Sequence, residues 1–160
     1  MRTKQMSSLG AMASHLLLLD AALVAELKKG LRRAANAIEQ TSKEEIGHYQ
    51  KATEAFPAWA PLAEFTKNER ERLGYTRDDP GLRSGAMRDS IKSEFSGLEA
   101  VVGSDDQHLV YFELGTDKQP PRSVLGMAVM RNRELIQKEL GKALVRGIVG
   151  KEAIGGDYDF

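Results

Sequence analysis

The sequence predicts an α+β chain, with a long helical stretch at either end and one β-hairpin between them. Three observations carry that reading. In residues 11–49 the apolar positions Leu16, Leu19, Leu23, Leu27, Leu31, Ala34 and Ile38 recur at steps of three and four, the signature of one helix face. In residues 123–149, Leu125, Ala128 or Val129, Ile136, Leu140, Leu144 and Ile148 do the same. Between them, residues 91–96 and 99–103 read as strands on either side of a Gly97-Leu98 turn, and "EAVVGS" is the clearest strand in the chain.

The first helix is expected to be leucine-rich at its start and basic on its wet side, at Lys28, Lys29, Arg32 and Arg33. Gly30 reads as a tolerated weak point within it. So long a helix exceeds what a small domain covers, which makes Leu16, Leu19 and Leu23 candidates for contact with another subunit. The apolar run over residues 15–27 is broken by Asp20 and closed by Glu26 and Lys28-Lys29, too short and interrupted for the roughly 20 apolar residues of a membrane span. It reads as a buried helix face.

Pro57 and Pro61 end the first helical pattern, and Pro61 suits the first turn of a short helix that stops at Gly74. Leu62, Phe65 and Leu73 are expected to face inward there, with Trp59 as anchor and Lys67, Glu69, Arg70, Glu71 and Arg72 in water. A turn follows at Asp78-Asp79-Pro80-Gly81. Met87, Ile91 and Phe95 fit either a helix at steps of four or one strand face; the reading is a helical turn through Asp89 and then a strand. Trp59, Leu62, Phe65, Ile91 and Val101 are the candidate core. Residues 108–114 read as a short helix ended by Gly115, and Ser123 as the N-cap of the last helix, which Gly150 stops.

At 160 residues the chain fits one domain over 1–160, with flexible ends near 1–10 and 151–160. Lys plus Arg and Asp plus Glu number 23 each, so no bulk charge draws the chain toward nucleic acid or an anionic membrane. Without cysteine there are no disulfides or thiolate metal sites. Of the three histidines only His48 has a carboxylate, Glu44, at helical i,i+4 spacing, and two ligands make no metal site. Asp78-Asp79 and Asp105-Asp106 are loop neighbours that point apart rather than paired acids. "RGIVGKEA" lacks the spacing and the hydroxyl of a phosphate loop, and no Gly-x-Ser-x-Gly elbow occurs. The expectation is a non-enzyme with no catalytic residue, cofactor or metal. A small helical DNA-binding regulator that uses Arg32-Arg33 or Arg131-Arg133 is the alternative, although acids are interspersed there and aromatics are not.

The stretch "YFELGTDKQPPRSVLG", residues 111–126, is the most informative. Gly115 can take positive φ at a helix end, Thr116 and Asp117 can turn the chain, and Pro120-Pro121 fixes an extended segment that leads into a helix. The result is a stiff corner that sets the angle between two helices. Glu113 and Arg122 flank it; they pair across the turn, reach neighbouring subunits, or are two unrelated surface charges.

Five segments in order, "WAPLAEFTKNERERLGY" from Trp59, "LRSGAMRDSI" from Leu82, "VVGS" from Val101, "ELGT" from Glu113 and "PPRSVLGMA" from Pro120, resemble the tail-completion, or head-to-tail joining, proteins of long-tailed bacteriophages. The related virion-morphogenesis proteins of phage Mu type share the tryptophan and Gly-Leu-Arg segments. Leu114 and Val124 stand where the family often carries aromatics, which blurs the subfamily. The resemblance implies a structural virion subunit whose long N- and C-terminal helices pack on a small antiparallel sheet. Its copies would form a ring, expected to be six-fold, at the neck, with DNA passing through the lumen. The implied partners are other copies of the chain, the head-tail connector or stopper, and tail terminator or tail tube proteins, with no membrane. Assembly would take place in the host cytoplasm. Glu113, Gly115, Thr116, Pro120, Pro121 and Arg122 are then interface candidates together with the leucine start, and Tyr158 and Phe160 would order on a partner ring.

Overall fold

The computed structural model describes residues 8–149, the side chain of Val149 excepted. The fold is α+β, in the order α1 (Leu9–Glu45), α2 (Glu64–Arg72), α3 (Ala86–Asp89), β1 (Lys92–Ser96), β2 (Glu99–Gly103), α4 (Gln107–Leu114), α5 (Leu125–Arg131) and α6 (Arg133–Val149). The sheet is a single antiparallel hairpin, with Lys92 opposite Gly103 and Ser96 opposite Glu99. Gly97, at φ 59°, supplies the positive angle that a two-residue turn needs.

Ser8 opens α1 by accepting the Ala11 N–H at 3.1 Å. The helix stops at Glu45, four residues before the expected end, because Ile46 is extended and turns into the core. Gly47 then takes φ 100°, strained for any residue with a side chain, and donates its N–H to the Pro80 carbonyl at 2.8 Å; a Cβ there would lie 3.0 Å from Leu82 Cδ2.

The last helical stretch is two helices rather than one. Asn132 breaks it, its side-chain amide donating to Thr41 Oγ1 at 2.8 Å and to the Ala128 carbonyl at 2.9 Å. Nor does α6 pack mainly on the sheet; it runs antiparallel along α1, with Asn132 beside Thr41, Glu139 paired with Arg33, Ala143 against Gly30 and Gly147 against Leu23. A Cβ on Gly30 would lie 2.9 Å from both Ala143 Cβ and the Glu139 carbonyl oxygen, and one on Gly147 would lie 2.5 Å from Leu23 Cα. Gly30 is therefore a point of close helix approach, not a weak point.

The core gathers Ile46, Trp59, Met87, Ile91, Leu109, Phe112, Val124 and Met127. Trp59 meets Phe112 edge to face, with ring centroids 5.2 Å apart. Trp59 and Ile91 are thus core residues as expected, and Leu62 is half-buried. Three inward-facing expectations fail, Leu73 among them at 44% exposure. Phe65 is 79% exposed, because α2 turns Arg70 inward instead: the guanidinium donates to the carbonyls of Thr76 at 2.8 Å and Leu82 at 2.7 Å. Val101 is 56% exposed, because the hairpin turns Ala100 and Val102 toward the molecule and leaves Val101 opposite Glu94 on the outer face.

Candidate assembly surface at the proline elbow

α4 ends at Gly115, which takes φ 76°. A Cβ there would lie 2.7 Å from the Pro121 nitrogen, so only glycine lets the chain double back so tightly. Thr116 and Gln119 close the turn with reciprocal backbone hydrogen bonds of 2.9 and 3.2 Å. Gln119 Nε2 adds a bond to the Tyr111 carbonyl at 2.7 Å.

The two charged residues that flank the elbow do different work, and no ion pair joins them among the described residues. Glu113 caps α5 from outside the helix. One carboxylate oxygen accepts the N–H of Val124 at 2.6 Å and of Leu125 at 3.0 Å; the other accepts Ser123 Oγ–H at 2.6 Å and Gly126 N–H at 3.1 Å. The first turn of any helix leaves N–H groups without intrahelical partners and carries partial positive charge, which a carboxylate satisfies on both counts. Ser123 is thus a supporting donor to Glu113 rather than the N-cap that its position suggests.

Arg122 is buried without a carboxylate partner among the described residues. Its backbone N–H bonds the Phe112 carbonyl at 2.7 Å, its guanidinium donates to the carbonyls of Ala60 at 3.0 Å and Pro61 at 3.2 Å, and it stacks over Phe112. Burial pushes the guanidinium pKa below its ordinary value, with Tyr49 opposing the shift. Trp59 completes the brace by donating its indole N–H to the Ser123 carbonyl at 3.0 Å. The elbow is therefore tied to α4, α5 and the tryptophan segment at once. Its outer side is bare: Thr116, Pro120 and Pro121 are exposed, Gly115 is half-buried, and residues 114–121 line an open cleft of about 550 Å³.

The other interface candidates lie elsewhere. Leu16 is exposed and Leu19 and Leu23 are half-buried on α1, so the run over residues 15–27 is not the buried helix face expected of it; Leu17 and Leu18 are exposed as well. Tyr158 and Phe160 lie outside the described residues. By length and composition α1 would suffice to cross a membrane, with an 18-residue window of mean hydropathy 1.5.

One cluster went unread in the sequence. Arg131, grouped there with Arg133 as a basic surface pair, stays at the surface but donates to Glu45 Oε1 at 2.8 Å and Gln50 Oε1 at 2.6 Å. Gln50 in turn donates to the carbonyls of Glu45 and His48. Glu45 is 2% exposed, and its Oε2 has no hydrogen-bond partner among the described residues. Burial pushes its pKa up to about 7, against the opposing charge of Arg131 and with a further push from Glu113. The only advance signal was Glu45 itself, a carboxylate next to the apolar Ile46 at the end of a helix.

The other basic candidates are similarly engaged. Arg32 lies over the Phe95 ring at 5.2 Å, Arg33 pairs with Glu139, and Arg133 sits 3.7 Å from Glu54. α1 ends before His48, so Glu44 and His48 share no helix face. Among the described residues no three His, Cys, Asp or Glu side chains gather to hold a metal. A scan against protein-family models gives no match, and comparison with curated proteins and with solved structures gives none either.

Proposed function

We propose that this chain is a structural virion protein of a tailed phage: a non-enzymatic tail-completion, or head-tail joining, subunit that closes into a ring at the neck. DNA passes through the lumen, and the ring bridges the connector or stopper on the head side and terminator or tube proteins on the tail side. The chain is made in the bacterial cytoplasm and resides in the virion. The five ordered segments that resemble the family carry the assignment.

The supporting observation is the elbow. A ring subunit must meet its neighbours through two different surfaces at a fixed angle. Glu113, Arg122 and Trp59 hold the elbow rigid from within while leaving its outer face bare. Against the DNA-regulator reading, Arg32, Arg33 and Arg131 are committed to contacts within the chain. Electron microscopy of particles assembled without this chain tests the proposal. Unjoined heads and tails are expected, and intact joined particles would refute it.

A further inference from the structure

α5 is held at both ends by a carboxylate. Glu113 caps its first turn, and Glu45 holds Arg131 in its last. The two are satisfied unequally. Both oxygens of Glu113 accept hydrogen bonds, four in all. Glu45 is more deeply buried, yet only Oε1 is bonded, and Oε2 has no donor among the described residues. A carboxylate so placed is disfavoured against its neutral form. Glu45 is also the last residue of α1, where the partial negative charge of the helix end opposes a second one. Two charged groups act on it from other elements: Arg131 of α5 attracts the carboxylate, and Glu113 at the end of α4 repels it. Its neighbours in sequence are exposed, with Glu44 bonded to Gln40, Tyr49 to Asp78, and the side chains of His48 and Lys51 in water.

Gln50 ties this carboxyl to the chain that follows it. Its Nε2 donates to the carbonyls of Glu45 and His48, its Oε1 accepts from Arg131, and its own carbonyl accepts the Trp59 N–H at 2.9 Å. Residues 46–63, between α1 and α2, form neither helix nor strand. Farther along, the same segment braces the elbow: the Trp59 indole donates to the Ser123 carbonyl, and the carbonyls of Ala60 and Pro61 accept from Arg122. Water can reach Oε2 only if something moves aside. Irregular chain held by a few hydrogen bonds opens before packed helices do, which singles out the segment that begins at Ile46 rather than α1 or α5.

We propose that Glu45, Gln50 and Arg131 form a proton-controlled latch: with Glu45 neutral, residues 46–59 stay docked beside α5, and ionisation of Glu45 releases them so that water reaches the carboxylate. The closed form keeps the proton up to about pH 7, whereas a hydrated carboxyl loses it near the ordinary 4.5. The ratio of open to closed chain therefore rises with pH between these values, by about tenfold per unit at most, and levels off above 7. Raising the pH thus loosens the Trp59 side of the elbow brace, while Glu113 keeps its cap at the other end of α5. The opening is local, distinct from a loss of stability of the whole chain, and it does not depend on the neck reading.

Hydrogen exchange of the full chain, followed by mass spectrometry between pH 5 and 8, reads this opening once the intrinsic rise of exchange with pH is divided out. In the wild type the protection of residues 46–59 should fall by on the order of fiftyfold across that range, most of it below pH 7. Peptides around Gly30, in the seam of α1 and α6, should stay at least about tenfold better protected throughout. Glu45→Gln should hold the protection of residues 46–59 constant. His48→Asn removes the one side chain of the segment whose type ordinarily titrates in this range, and it should leave the fall intact. Constant protection in the wild type would overturn the latch, as would a fall that persists in Glu45→Gln or vanishes in His48→Asn. Equal protection of segment and seam would overturn it too, since the chain would then be opening as a whole.

Discussion

Glu113 accepts the Val124 N–H at 2.6 Å, joining the end of α4 to the start of α5 across an elbow of glycine and prolines. Three further donors share the carboxylate: Ser123 Oγ and the N–H groups of Leu125 and Gly126. Glu113→Ala would leave these donors unpaired close to the core. Losing an N-cap or a charged hydrogen bond each costs about 1–2 kcal/mol, so the variant should unfold at lower urea by roughly 2 kcal/mol. An unchanged midpoint would mean that the cap contributes nothing.

Glu45 makes stability depend on pH. Its folded pKa of about 7 lies above the 4.5 of an unperturbed carboxyl, so between these values the native state holds the proton more tightly than the unfolded state. Stability should therefore be greatest below about pH 4.5 as far as this group is concerned, and fall as pH rises toward 7, by on the order of 1 kcal/mol per pH unit. Glu45→Gln removes the titration and should flatten the curve between pH 5 and 7. A wild-type curve as flat as that of the variant would contradict the burial of Glu45.

Close helix approach makes two glycines of α1 and α6 sensitive and a third indifferent. Gly30→Ala and Gly147→Ala force methyl groups into Ala143 and Leu23, and overpacking of this kind costs about 1–3 kcal/mol. At Gly141 a Cβ meets nothing within 4 Å. Gly141→Ala should be neutral or stabilise the helix by up to about 1 kcal/mol. Thermal melts of the three variants would separate these outcomes, and equal shifts at all three would argue against the tight seam.

Pro120 and Pro121 are exposed, so their replacement by alanine should cost the single chain no more than about 0.4–1 kcal/mol each, through the added freedom of the unfolded chain. Ring assembly should weaken, because the outer wall of the elbow is reshaped. Unchanged incorporation of the double variant into virions would show that the elbow is not at a subunit boundary.

Much of the fold was legible because it rests on local signals. The hairpin falls where alternation and Gly97 put it, and α4 ends at the glycine expected to end it. The break at Asn132 was not legible: the three-and-four periodicity runs on through it, and the Asn132 side chain bonds Thr41, far away in sequence. Periodicity also says that α2 and β2 have two faces, not which one turns inward. Hence Phe65 and Val101 were assigned to the wrong side while Arg70 went inside. At the elbow the rigid backbone was readable from Gly115, Pro120 and Pro121. The roles of Glu113 and Arg122 were not, since each acts on backbone groups that only the tertiary fold brings near.

Cryo-electron microscopy of the intact particle tests the central claim most directly. The account predicts a closed ring of this chain between head and tail, with the elbow of each copy at the boundary with its neighbour. A particle whose neck contains no copy of the chain, or copies that meet away from residues 114–121, would contradict it.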